Sequence, residues 1–136
     1  MKQYTLKVYP KGWGRECWRV IHISGKETLD KLCGVIIDAF DFEDGHMYEF
    51  CMNNRMYDAD NYQSDGDGKY QRSTKGKIDR LRLAKGQKFS LHYDFGDDWM
   101  FVISVQGIDE GDENIVPYVS KEKGFLEQYP DWDDFE

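Results

Sequence analysis

Residues 89–105 have the sequence FSLHYDFGDDWMFVISV, in which two alternating apolar patterns flank an acidic turn that contains glycine. Alternation of apolar and polar side chains is typical of a β-strand with one buried face. Gly96 and its neighbouring aspartates are typical of a tight turn, because Gly permits positive φ and Asp accepts backbone N–H groups. The stretch therefore predicts a β-hairpin with its bend at Phe95–Asp98.

The residues before this hairpin predict two strands, a helix, a third strand and a long loop. Alternating or continuous apolar runs indicate the strands, and apolar residues at helical offsets indicate an amphipathic helix, which Thr28 would cap. The loop has no period and is longer than most loops without regular structure. The first two strands cover residues 4–8 and 17–23, the helix covers 29–40, the third strand covers 46–52 and the loop covers 53–76.

The chain of 136 residues predicts a single α+β domain. Its one main helix would pack on a mainly antiparallel or mixed sheet in the order β-β-α-β-β-β, which is compatible with a β-grasp-like arrangement. We expect residues 1–107 to form the core domain, and residues 108–136 to form an acidic C-terminal segment that packs on it or trails from it. The aromatic residues available for such packing are Tyr118, Phe125, Tyr129 and Trp132.

Charge is distributed unevenly along the chain, whose net charge is −8. Residues 109–136 contain ten acidic residues and two lysines, whereas the part before them is neutral. Within that part, residues 69–88 are strongly basic and residues 38–67 are strongly acidic. The basic segment therefore either lies against the acidic one or provides a contact strip for nucleic acid, which the overall negative charge disfavours.

Several classes of protein do not fit the sequence. No apolar run is long enough to span a membrane, and no secretory signal is evident near Met1. The three cysteines lack CxxC spacing and are expected to be free thiols in a reducing compartment. We therefore expect a cytoplasmic protein without a membrane partner, and no motif for a cofactor is found.

The rings and carboxylates of the hairpin bend are the main candidate for a functional site. Exposed rings beside carboxylates suit a cationic or peptide partner. His46 follows a glycine turn. Arg19, in an otherwise apolar strand, needs an acidic partner or an aromatic ring on which to stack, and we expect it to meet an aspartate of the bend. The predicted binding residues are Arg19, His46, Tyr93, Asp94, Asp97, Asp98 and Trp99.

Two other interpretations of the bend stay open. In the first, its three aspartates only accept backbone N–H groups of the turn. In the second, Asp94, Asp97 and Asp98 join His46 in the metal site of a hydrolase, because carboxylates and imidazoles bind divalent cations. His92 alternates with apolar residues, and we expect it only to form hydrogen bonds at a sheet edge.

The collected motifs resemble one known family. Along the chain they are Trp18-Arg19, Thr28-Leu29 with the helix that follows, His46-x-Tyr48-x-Phe50, and the block from Tyr93 to Trp99. Over about residues 4–107, they resemble the plasmid pRiA ORF-three-like family, also called the TnpR family of transposable-element passenger proteins. The resemblance implies an α+β domain associated with mobile elements, and no established reaction, cofactor or catalytic residue. We therefore favour a binding or accessory domain with a protein or peptide partner over an enzyme.

Overall fold

The computed structural model describes residues 1–111 and 113–129. Within these residues, no helix has the length and the apolar character that crossing a membrane requires. The elements are β1 (Lys2–Pro10), β2 (Trp18–Ser24), α1 (Leu29–Ala39), β3 (Tyr48–Cys51), β4 (Tyr62–Gln63), β5 (Arg72–Ser73), a 3₁₀ helix (Ile78–Leu81), β6 (Lys88–Tyr93), β7 (Trp99–Glu110) and β8 (Tyr118–Lys123).

The strands form one sheet in the order β5-β4-β3-β6-β7-β1-β2-β8. Neighbouring strands are antiparallel, except that β4 and β5 pair in parallel. The predicted α+β class is confirmed, and the predicted hairpin is formed by β6 and β7 with its bend at residues 94–98. The sheet differs from a β-grasp-like one in the direction of pairing, because β1 is antiparallel to both of its neighbours, β2 and β7.

Helix α1 covers one face of this sheet. Thr28 Oγ1 accepts a hydrogen bond from the N–H of Lys31 (3.1 Å), as predicted for the N-cap, and Asp30 lies in the first turn, where the helix dipole favours an acid. The apolar stripe of α1 packs against alternate residues of the central strands, and each fully buried aliphatic side chain stabilises the fold by about 1.5–3 kcal/mol. The fully buried residues of this core include Leu6, Val8, Ile21, Ile23, Leu29, Leu32, Ile36, Phe50, Phe89, Leu91, Phe101 and Ile103.

Three segments differ from the predicted elements. β3 begins at Tyr48 rather than at residue 46, and the long loop of residues 53–76 contains the short strands β4 and β5. Residues 118–123 form β8, which pairs with β2. The sequence does not predict β8, because all six of its residues are exposed and no alternation indicates a buried face. The packing predicted for Trp132 concerns a residue outside the described part of the chain.

Arg19 of β2 connects the helix to the C-terminal part of the chain. Its side chain lies on the same face of the sheet as α1, and the residue is 5% exposed. The guanidinium donates hydrogen bonds of 2.8 Å to the backbone carbonyls of Ala39, Lys123 and Gly124. It also lies over the ring of Phe40, 4.7 Å from the centroid. Arg19 thereby holds the end of α1 and the end of β8 in place.

The predicted ion pair between Arg19 and an aspartate of the bend is wrong. β7 and β1 lie between β2 and β6 in the sheet. The backbone of β2, which carries Arg19, is therefore about 14 Å from the backbone of β6. The acidic partner of Arg19 is Glu122 on the neighbouring strand β8, with an N–O distance of 3.5 Å. The sequence pattern correctly indicates that a buried Arg needs partners, but those partners are mainly carbonyl groups.

We predict that Arg19→Met destabilises the fold by about 3 kcal/mol, because four backbone carbonyls, those of Trp18, Ala39, Lys123 and Gly124, lose a charged donor. Glu122→Gln should cost less than about 1 kcal/mol, since the carboxylate is exposed to solvent. Urea unfolding of both variants at neutral pH measures the two values. Equal effects of the two substitutions would contradict the role assigned to the carbonyl hydrogen bonds.

Candidate functional site

The hairpin bend at residues 94–98 is stabilised by its own first aspartate. Asp94 and Asp98 have positive φ angles of 67° and 54°, a conformation that Asp tolerates better than most residues. Asp94 Oδ1 accepts hydrogen bonds from the N–H groups of Gly96 (3.0 Å) and Asp97 (3.3 Å). One oxygen of Asp94 therefore stabilises the turn, as the first alternative interpretation of the bend proposes.

The other carboxylate oxygen of Asp94 faces His46. The distance from Oδ2 to Nδ1 of His46 is 3.5 Å. The His46 ring packs edge-on against Tyr93, with centroids 5.6 Å apart, and its Nε2 lies 2.8 Å from the hydroxyl of Tyr129. The structure thus brings together three of the predicted site residues. It adds Tyr129 of the C-terminal segment, which the sequence does not indicate as a site residue.

Of the remaining predicted residues of the bend, Trp99 adjoins this group as the register partner of Tyr93, whereas Asp97 and Asp98 do not pair with His46. Asp98 faces the opposite side of the sheet, Asp97 is exposed, and Trp99 packs its ring against Phe42 with centroids 4.9 Å apart. The four residues of the hydrolase hypothesis therefore do not converge on one point. In residues 1–111 and 113–129, no three His, Cys, Asp or Glu side chains lie close enough together to hold a metal ion.

A cleft of about 310 Å³ opens beside His46, between α1 and residues 44–46. Its walls contain two carboxylates and two phenol rings beside a mainly apolar surface. Asp30 Oδ1 accepts hydrogen bonds from the hydroxyls of Tyr48 and Thr74. The lining residues are Asp30, Cys33, Gly34, Ile37, Asp44, Gly45, His46, Tyr48 and Tyr93.

The phenols and the thiol of this cleft are neutral at physiological pH. Burial raises the pKa of Tyr93 to about 12. Burial and the hydrogen bond to Asp30 raise the pKa of Tyr48, and burial raises the pKa of Cys33. The negative charge of the cleft therefore comes from its carboxylates alone, and Cys33 is not activated as a nucleophile.

A chain of hydrogen bonds runs through the opposite face of β3 and β6. Glu49 and His92 are register partners on these strands, and both are fully buried. Glu49 Oε2 lies 2.7 Å from Nδ1 of His92, and Nε2 of His92 lies 2.7 Å from Oδ1 of Asp98. The imidazole therefore lies between two carboxylates and connects the hairpin bend to β3. The expectation that His92 lies at a sheet edge is wrong, since β6 is flanked by β3 and β7.

The loop after β3 supplies the other partners of Glu49. Its carboxylate accepts hydrogen bonds from the Asn61 amide (2.7 Å), the Gln63 amide (2.9 Å) and the backbone N–H of Tyr57 (2.8 Å). Burial alone would raise the pKa of Glu49, but these hydrogen bonds and the one with His92 outweigh it and hold the pKa below its ordinary value of 4.5. Glu49 is therefore an ionised group that fixes the loop over the sheet.

Comparison with known proteins identifies the family of the chain. Residues 2–127 match the family described as plasmid pRiA4b ORF-3-like protein. The chain belongs to this family. The fold is similar to the crystal structure of a protein of unknown function from Methanosarcina mazei Go1, with a TM-score of 0.70 and 28% identity, over 89% of this chain and 68% of that one. No curated protein matches the chain.

The sequence contains a signal for the buried network of this pRiA4b ORF-3-like chain, but strand periodicity alone does not reveal it. Ser90 and His92 alternate with the apolar residues of β6, which predicts a solvent-facing side. That side is instead covered by residues 53–61, which follow β3 directly. The sequence features of this network are the acid of β3, the histidine of β6 and the long loop after β3, and the register that brings them together is seen in the structure.

We predict that Glu49→Gln destabilises this pRiA4b ORF-3-like chain by about 3 kcal/mol at pH 7, because it removes one member of a buried charged network. A carboxyl group whose pKa is lowered in the native state stabilises the fold above its unfolded pKa. That contribution is lost as the pH falls through the native pKa. The stability difference from the parent chain should therefore be constant above about pH 5 and should narrow at lower pH.

Urea unfolding between about pH 7 and pH 3 measures this dependence. Glu127→Gln is the matched control, because Glu127 is exposed and should give a difference near zero throughout. A difference for Glu49→Gln that stays constant down to pH 3 would show that the charge of Glu49 is not responsible.

Proposed function

We propose that this chain is a binding domain whose cleft beside His46 accepts a cationic side chain of a protein or peptide partner. The observation that carries the proposal is the composition of the cleft walls. Asp30 and Asp44 line the cleft together with the rings of Tyr48 and Tyr93. No Lys or Arg of the described residues lines it, and none of the ion pairs among those residues involves Asp30 or Asp44.

The electrostatics of the cleft favour a lysine or arginine side chain. A cation near two carboxylates gains Coulomb energy, and the gain is larger in a partly enclosed cleft than on an open surface. The faces of phenol rings attract cations by about 0.5–2 kcal/mol. A volume of about 310 Å³ is at the lower end of the range for ligand sites and suits one long side chain rather than a large molecule.

A metal-dependent hydrolase is the alternative that the geometry supports less. Its proposed ligands include Asp98, which faces the other side of the sheet and lies against His92. One carboxylate oxygen of Asp94 already accepts hydrogen bonds from backbone N–H groups, and the other faces His46. A binding role requires none of these groups to rearrange.

Gly34 provides a direct test of the cleft. It lies on the exposed side of α1 and lines the cleft, and a Cβ atom at this position would meet no atom within 4 Å. We predict that Gly34→Met fills the opening and weakens binding of a fluorescein-labelled hexa-arginine peptide by at least about 10-fold, or about 1.4 kcal/mol. Fluorescence anisotropy at low salt, about 50 mM, measures the affinity.

Gly34→Ala is the matched control. It adds a single methyl group, should leave peptide binding unchanged, and should stabilise the helix by about 0.5–1 kcal/mol, because Gly is a poor helix former. Equal affinities of the peptide for Gly34→Met and Gly34→Ala would contradict the proposal. Equal affinities would show that the peptide binds through general electrostatic attraction to an acidic protein rather than in the cleft.

A further inference from the structure

The sheet has a second face, which α1 does not cover, and basic residues lie across it in one row. Register pairing connects β6, β7, β1, β2 and β8 through residues that face one another directly. A row of this kind across five strands is about 19 Å long. From β6 to β8, the row consists of Lys88, Ser104, Lys7, Val20 and Lys121. We call this row and its neighbouring side chains the lysine face.

A cleft of about 520 Å³ adjoins the lysine face at the start of the row. Lys7, Lys88 and Arg15 line it, and Glu16 is the one acidic residue among its lining residues. At the other end, Lys121 and Lys123 of β8 are exposed. The described residues contain no ion pair of these five cations, so that the face is positive in a chain whose net charge is −8.

Aromatic rings lie between the cations. Trp18, the register partner of Lys123, lies below the ammonium group of Lys7, which is 5.0 Å from the ring centroid. Tyr118 is 51% exposed and stacks on His22, with centroids 4.6 Å apart. Rings and cations that alternate on an open sheet can stack bases and contact phosphates at the same time.

We propose that the lysine face binds single-stranded nucleic acid. Charge complementarity favours an anionic partner, and the interleaved rings favour one with stacking surfaces over an acidic peptide. An open sheet face accepts a flexible single strand, whereas reading the major groove of a duplex needs a protruding helix or ribbon. This site differs from the basic segment of residues 69–88 that the sequence indicates, and shares only Lys88 with it. It is also independent of the cleft beside His46, which lies on the other face.

The test uses the full chain and a fluorescein-labelled oligothymidylate of about 20 nucleotides. We expect binding at about 50 mM salt that weakens steeply toward 200 mM. The triple variant Lys7→Gln, Lys88→Gln and Lys121→Gln should bind at least about 10-fold more weakly at 50 mM. Its slope of log K against log salt should be smaller by about 2, because each lost phosphate contact lowers it by about 0.7.

The matched control removes the same charge from the exposed residues Lys75, Lys77 and Lys85, and it should bind like the parent chain. Trp18→Leu should weaken binding by at least about 5-fold through loss of stacking, with folding of each variant verified by thermal unfolding. Three results would overturn the proposal: no binding at 50 mM salt, equal losses in both triple variants, or displacement of the oligonucleotide by polyglutamate as effective as by unlabelled oligothymidylate.

Discussion

The contact between Glu49 and His92 is the buried polar interaction that joins the hairpin bend to β3 on the sheet face away from α1. Both residues are buried on the face away from α1, where a polar group needs hydrogen bonds to remain in the protein interior. Glu49 accepts hydrogen bonds from residues of the loop after β3 and is bonded to His92, which is in turn hydrogen-bonded to Asp98 in the hairpin bend. This network holds Asp98 at one side of the bend, while at the other side Asp94 donates its backbone N–H to the carbonyl of Met47 (2.9 Å) and faces His46.

This arrangement separates acids that are close in sequence. Asp94 and Asp98 are both in the bend, yet one contacts His46 on the α1 side and the other contacts His92 on the opposite side. The α1 side also has the acidic cleft, whose carboxylates are those of Asp30 and Asp44 and whose phenol rings are those of Tyr48 and Tyr93. Beyond the loop that covers Glu49, the other side remains open and basic. A chain with a strongly negative net charge thereby has surfaces of both signs.

The sequence predicts those features that depend on local pattern. The hairpin, the extent of α1 and the Thr28 cap follow from periodicity and capping chemistry, and the motifs indicate the correct family. Contacts between distant segments are not encoded in such patterns. Arg19 finds carbonyl partners on α1 and β8 that no spacing reveals, and His92 has the periodicity of an exposed residue although residues 53–61 bury it. β8 has no buried face, and its sequence therefore lacks the alternation of apolar and polar residues that predicts a strand.

A double-mutant cycle between Glu49→Gln and His92→Gln tests the central claim most directly. The cycle compares the unfolding free energies of the parent, both single variants and the double variant at pH 7. Because the two side chains are 2.7 Å apart and buried, a coupling free energy of about 2 kcal/mol is expected. Effects that add to within about 0.5 kcal/mol would show that the pair does not act as a unit, and would contradict the account of the buried network and of its connection to the bend.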